Sequence, residues 1–185
     1  MPRGVNPPSV SAFRLARPGR RRHDPAMKRS RELRPLSAEH HQALLVAFQL
    51  RKGLEGHPEA AGAPRDLPGL VSLARRFEEQ VFRPHAAAEE ELLGRHLPPG
   101  DLARLRSEHG ELKGLADLAR RSAPAEARGA LAAFADLLER HVRWEERELF
   151  PAAERDLDGE ALALIGGELE RRLALAGQCG RGARK

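Results

Sequence analysis

Two stretches of the chain repeat one string of side chains able to hold metal. They are His85-Ala86-Ala87-Ala88-Glu89-Glu90 and His141-Val142-Arg143-Trp144-Glu145-Glu146. Both read H-x-x-x-E-E-x-x-L and close on Leu93 and Leu149. Each is preceded by a shorter string, L-x-x-E-H, at Leu36 to His40 and again at Leu105 to His109. Residues i and i+4 of a helix lie one above the other on the same face. Each H-x-x-x-E therefore offers an imidazole and a carboxylate to one point in space. Two such pairs with His40 and His109 make a nitrogen-and-oxygen cage large enough for two metal ions. Such ligation suits iron or manganese, and zinc also accepts it.

One H-x-x-x-E alone carries little information. Glu fills 20 of 185 positions, so among eight histidines roughly one meets a Glu at +4 by chance. The context gives the two strings their weight. Both continue into a second Glu and a Leu, both fall on the apolar stripe of a long helical pattern, and both follow an E-H-bearing segment. Charged side chains on a buried stripe are costly unless paired or metal-bound. His40 and His41 compete for one place, and the repeated L-x-x-E-H favours His40. Glu39, Glu90, Glu108 and Glu146 read as solvated neighbours, His57 and His96 as surface residues at helix ends, and Trp144 as packing.

Four helices must position these groups. Ser37 reads as the N-cap of the first, which runs to Leu54 and is followed by a Gly- and Pro-rich loop. The second spans Pro68 to Arg95, with Pro84 expected to bend it just before His85. Asp101 reads as the cap of the third, whose stripe is Leu102, Leu105, His109, Leu112, Ala116 and Ala119. The fourth spans Ala125 to Leu157, with Pro151 bending its end. A short amphipathic segment, Gly159 to Leu175, is expected to pack outside. Tyr is absent and β-branched residues are few, so the expected fold is all-α, an antiparallel up-down four-helix bundle with a short extra C-terminal helix. Helices one and two carry H…HxxxE, and helices three and four carry it again, which implies an approximate two-fold axis.

The net charge of +5 is a property of the ends. Residues 1–34 carry +8 and residues 176–185 carry +3, so the stretch 35–175 carries −6. The division expected is a disordered basic extension at 1–34, a metal-binding bundle at 35–175 and a basic flexible tail at 176–185. The extension lacks the apolar core of a secretory signal, and Met27 is an alternative start. No apolar run is long enough to span a membrane. The single cysteine, Cys179, excludes an internal disulfide framework and a thiolate-rich metal site, which fits a cytoplasmic setting.

The arrangement H…HxxxE…H…HxxxE on an up-down bundle resembles the hemerythrin-like (HHE cation-binding) domains over about residues 36–157. The resemblance implies a non-haem di-iron centre with His40, His85, His109 and His141 as terminal ligands and Glu89 and Glu145 as bridges. The oxygen-carrying hemerythrins have an extra histidine one turn along the third helix. Lys113 and Leu105 occupy those places here, which argues against reversible oxygen carriage. The symmetric ligand set is more similar to iron-centre repair members of the superfamily, whose cysteine-bearing N-terminal domain has no counterpart in these residues. The ferritin-like Glu-x-x-His signature and the H-E-x-x-H zinc-protease motif are both absent.

The function expected on this reading is to bind or react with oxygen, nitric oxide or peroxide, for sensing, scavenging or iron handling. Alternatives are a di-iron oxidase or peroxidase, a metal-sensing regulatory module whose basic arm contacts nucleic acid, and a metal-free interaction bundle. The partner expected is a small diatomic molecule or peroxide, with neither a membrane nor nucleic acid. A tyrosyl radical is excluded by composition.

Overall fold

The computed structural model describes residues 30–182, with side chains through Leu173. Residues 1–29, most of the expected basic arm, lie outside the described residues, as do 183–185. Seven α-helices follow in order: α1 (Arg34–Leu54), α2 (Leu67–Phe77), α3 (Arg83–Leu92), α4 (Pro99–Arg121), α5 (Pro124–Trp144), α6 (Phe150–Asp156) and α7 (Gly159–Gly182). α2 and α3 are one rod interrupted by a π-turn at Glu78–Phe82, and α5 and α6 are another interrupted by a π-turn at Glu145–Leu149. The four rods form the expected all-α bundle, and no strand occurs among the described residues.

Each rod buries an apolar stripe at helical spacing. On α1 it is Leu36, His40, Ala43, Ala47 and Leu50, and on α5 it is Leu131, Phe134, Leu138 and His141. Two apolar clusters result. One gathers Leu50, Leu70, Phe77, Leu112, Leu131 and Phe134, and the other gathers Leu33, Leu36, Leu93, Leu105, Leu149 and Phe150. The buried imidazoles and carboxylates occupy the layer between them.

The two expected bends are resolved as π-turns by one device. Arg83 N–H donates to Glu78 C=O and Phe150 N–H donates to Glu145 C=O, five residues back, and the next residue in each case is the proline. A proline ring inside an α-helix collides with the carbonyl four residues earlier. Widening the preceding turn moves that carbonyl aside and lets the rod continue.

The helix starts differ from expectation at two places. α1 begins at Arg34 with Leu33 at its N-cap position and no side-chain cap. Ser37 is inside the helix, and its hydroxyl donates instead to Glu146 Oε1 at 2.6 Å. Leu33 is fully buried, and its packing draws the helix start forward. α4 begins at Pro99 after Pro98, so Asp101 stands in the first turn rather than capping it. Asp66 does cap α2, accepting from Gly69 N–H at 2.8 Å. In the preceding loop Gly56 and Gly62 take positive φ of 84° and 59°, a region that favours glycine.

The C-terminal helix is not short. α7 has 24 residues and runs past the expected end at 175 to Gly182. It buries Ile165, Leu169 and Leu173 in the second cluster and packs along α1 and α3. Glu32 closes against Gly166, where a Cβ would lie 2.9 Å from the Glu32 Cα. No helix among the described residues is long and apolar enough to cross a membrane.

Candidate metal centre

Seven polar or charged side chains are buried among the described residues: His40, Glu78, His85, Glu89, His109, His141 and Glu145. Six of them are the residues singled out by spacing, and all six converge. His40 comes from α1, His85 and Glu89 from α3, His109 from α4, His141 from α5, and Glu145 from the start of the second π-turn. Of the two neighbours, His40 is buried in this cluster, whereas His41 is exposed, as are His57 and His96.

Each carboxylate spreads its two oxygens between two histidines. Glu89 Oε1 lies 3.2 Å from His85 Nε2, and its Oε2 lies 3.4 Å from His109 Nε2. Glu145 Oε1 lies 3.1 Å from His141 Nε2, and its Oε2 lies 3.1 Å from His40 Nε2. Two overlapping groups result: His40, His85, Glu89 and Glu145, and Glu89, His109, His141 and Glu145. Within each group the candidate ligand atoms lie inside 4.8 Å of one another. Both oxygens of Glu89 and of Glu145, with Nε2 of His109 and His141, make no hydrogen bond of acceptable geometry. Buried polar atoms are nearly always satisfied. Six orphaned atoms facing one another across the centre of a bundle fit a metal-ligand set, and the donor types fit a borderline to hard cation.

The outward-facing nitrogens are satisfied, and by groups that the spacing did not single out. His40 Nδ1 meets Glu146 at 2.8 Å and His85 Nδ1 meets Glu39 at 2.9 Å. His109 Nδ1 meets Glu90 at 2.8 Å and His141 Nδ1 meets Glu108 at 2.8 Å. The pattern is cyclic, because the carboxylate on each rod serves the histidine on the next and the last rod serves the first. Glu39, Glu90, Glu108 and Glu146 are thus imidazole partners rather than merely solvated neighbours. A carboxylate on Nδ1 fixes the ring so that Nε2 faces inward, and raises its basicity as a ligand. The outer ring is itself anchored: Arg104 Nε donates to Glu108 at 2.8 Å, Arg106 Nε lies 3.3 Å from Glu90, and Ser37 donates to Glu146. The Arg104 guanidinium lies 4.0 Å above the Trp144 ring.

The electrostatics show what replaces a cation when none is bound. Burial alone would lower the histidine pKa values, yet the carboxylates win. Glu145 and Glu146 raise His40, Glu89 and Glu39 hold His85 well above its ordinary range, and Glu145 and Glu108 bring His141 to about 9. Burial likewise pushes the carboxyls up, but His85 and His109 draw Glu89 well below its ordinary value. His141 and His40 draw Glu145 down against the added repulsion of Glu89. The buried carboxylates therefore favour protons on His40, His85 and His141, and a bound cation would displace them.

An apolar cavity adjoins this centre. It offers about 10 Å3 to the centre of a water-sized sphere, which is the scale of a single water molecule. Phe77, Val81, Phe82, Leu138 and Val142 wall it against His40, His85, His141 and Glu145.

The Hemerythrin HHE cation binding domain model matches residues 100–165, the half that carries His109, His141 and Glu145. No curated protein and no solved structure matches the chain. The other half carries His40, His85 and Glu89 in the same arrangement, and the buried cluster they complete suggests metal binding. The chain is an all-α helical bundle that is similar to the Hemerythrin HHE cation binding domain over residues 100–165.

Proposed function

We propose that the protein holds a non-haem di-iron centre and uses it to bind or react with oxygen, nitric oxide or peroxide. His40 and His85 would ligate one iron, His109 and His141 the other, and Glu89 and Glu145 would bridge them. The observation that carries this reading is the set of six buried, unsatisfied donor atoms, with each carboxylate divided between two histidine pairs. Iron is preferred over manganese or zinc on the resemblance to the hemerythrin HHE domain over residues 100–165, since the donor set by itself accepts all three. When bound, such a centre supplies electrons and an open coordination position to a small molecule.

The residues around it supply the rest. The four outer carboxylates orient the imidazoles, and the apolar wall excludes bulk water and limits the occupant to a few atoms. The binding unit is residues 35–175, and the single cysteine, Cys179, fits a cytoplasmic setting. The test is metal analysis with ultraviolet–visible spectra of protein purified without added metal, then exposed to air and to peroxide. About two irons per chain with charge-transfer bands is the expected result. Bands that reverse on removing oxygen identify a binder or sensor. Sustained peroxide turnover with an organic reductant identifies an oxidase or peroxidase. Zinc or no metal, with an intact helical spectrum, overturns the proposal.

A further inference from the structure

A second and larger hollow opens on the surface between α3 and α4, with a volume of about 450 Å3. Its floor is made of small residues, Ala86 and Ala87 on α3 and Gly110 on α4. A Cβ at Gly110 would meet no atom within 4 Å, so the space there is open rather than filled by a neighbour. The groove ends inward at His109 and Phe82. Phe82 also lines the small cavity beside the buried histidines. Phe82 is the single residue that lines both spaces. Its ring stands edge-on to His109, with centroids 5.4 Å apart and planes at 86°, and nearly so to His141, at 6.2 Å and 73°. Around the centre α5 packs along both α1 and α4, and α7 packs along α1 and α3.

We infer that the α3–α4 groove is the port through which small molecules reach the buried centre, and that Phe82 is the residue that sets which of them pass and how fast. This rests on the proposed metal-binding reading for its ligand chemistry, but the port itself is a property of the packing. Phe82 is the last residue of the first π-turn. The turn's widened ring and the adjoining Pro84 remove α-helical hydrogen bonds at this point, so Phe82 sits where the regular α-helical pattern of its rod is interrupted. With the ring in place the inner cavity admits a few atoms. With the ring displaced the two spaces are continuous. The selected class is small linear molecules of two or three heavy atoms, neutral or singly charged, and the port excludes branched organic substrates.

Azide is the probe, with association to iron-loaded protein followed by stopped-flow absorbance. Phe82→Leu and Phe82→Ala are expected to raise the association rate, the alanine by about tenfold or more, with dissociation rising in step so that the equilibrium constant changes little. Gly110→Leu fills the groove from the α4 side, without touching the metal-facing atoms, and is expected to lower both rates. Metal content of every variant is measured alongside. Rates within about twofold of wild type in all three variants, with metal retained, overturn the inference.

A second readout needs no metal. Deuterium exchange from D2O at the imidazole Cε1 of metal-free protein, a labelling by water itself mapped by peptide mass spectrometry, is expected to reach His141 faster in Phe82→Ala and more slowly in Gly110→Leu. The exposed His41 and His57 serve as references in the same molecule. If wild-type protein holds no metal, the proposed function fails and the labelling alone decides the port. Altered His141 labelling supports it, and unaltered labelling overturns it.

Discussion

Replacing Glu108 by Gln isolates the outer carboxylate ring from the ligands it supports. Glu108 Oε2 lies 2.8 Å from His141 Nδ1 and its Oε1 accepts from Arg104 Nε at 2.8 Å. Burial would raise its pKa, but the hydrogen bonds from His141 and Arg104 hold it at about 2. It is therefore a full carboxylate at neutral pH. Gln keeps the shape and an acceptor for the Nδ1 proton, and removes only the charge that makes Nε2 a stronger donor to metal. Loss of such a partner typically lowers metal affinity 10- to 100-fold, or about 1.4 to 2.7 kcal/mol. The bundle itself is expected to change little, because the Glu108 side chain is 17% and the Arg104 side chain 44% exposed.

The assay is competitive titration of the metal-free protein against a chelator of known affinity, with His141→Ala and the double variant measured together. If Glu108 acts through His141, its replacement adds almost nothing once His141 is gone, and the coupling energy equals the single-variant loss. Glu111→Gln, an exposed acid on the same helix, controls for general loss of negative charge and should leave affinity within about twofold. Additive losses in the double variant, or equal losses from Glu108→Gln and Glu111→Gln, would refute the ring as a set of positioning residues.

Two further expectations concern stability. Without metal, His141 titrates at about 9 against an ordinary value of 6.5. Its folded-state pKa is raised, so its contribution is present in full below about 6.5 and is lost as pH rises through about 9. The interval corresponds to about 3 kcal/mol. Thermal melts in chelator should fall across that window while metal affinity rises as protons leave the imidazoles, and a flat melting profile would contradict the electrostatics. On α7, Gly166→Ala should destabilise by about 1–3 kcal/mol, because the new methyl meets the Glu32 backbone, which cannot give as a side chain tip would. Gly167→Ala meets nothing within 4 Å and should stabilise by about 0.5–1 kcal/mol through helix propensity. Denaturant midpoints of the two variants separate these outcomes.

The six converging side chains were legible because the i, i+4 spacing is a local property, set by the helix itself. The outer ring was not, because it belongs to the spaces between rods. Glu39, Glu90, Glu108 and Glu146 each sit one residue beside an inward-facing side chain, about 100° round the helix, and so point toward the neighbouring rod. Only rod order and spacing turn that direction into a hydrogen bond. A signal was present nonetheless. The doublets Glu39-His40, Glu89-Glu90, Glu108-His109 and Glu145-Glu146 pair an inward group with a lateral one on every rod. Ser37 and Asp101 were misread as caps by the same limitation. Their side chains favour helix starts, but burial of Leu33 and the consecutive Pro98 and Pro99 fix where those helices begin.

The π-turns show why a repeated ligand motif needs an irregular scaffold. Buried positions on the second rod run Leu70, Ala74, Phe77 and Glu78, then Phe82, His85, Glu89 and Leu92 beyond the π-turn. On the fourth rod His141 and Glu145 are followed by Leu149, Phe150 and Ala153. Each π-turn inserts one residue, equivalent to about 100° of rotation in an uninterrupted α-helix. A straight helix matched to the Leu70 stripe would turn His85 and Glu89 out of the centre. One matched to His141 and Glu145 would turn Phe150 away from His40, against which its ring stacks at 5.3 Å. The inserted residue lets one rod satisfy two faces that a single helical phase cannot, and the proline after each turn holds the insertion in place. The histidine–glutamate layer and the two apolar layers are thus phased independently. For the same reason the residue closing the first π-turn, Phe82, is placed between the surface groove and the inner cavity.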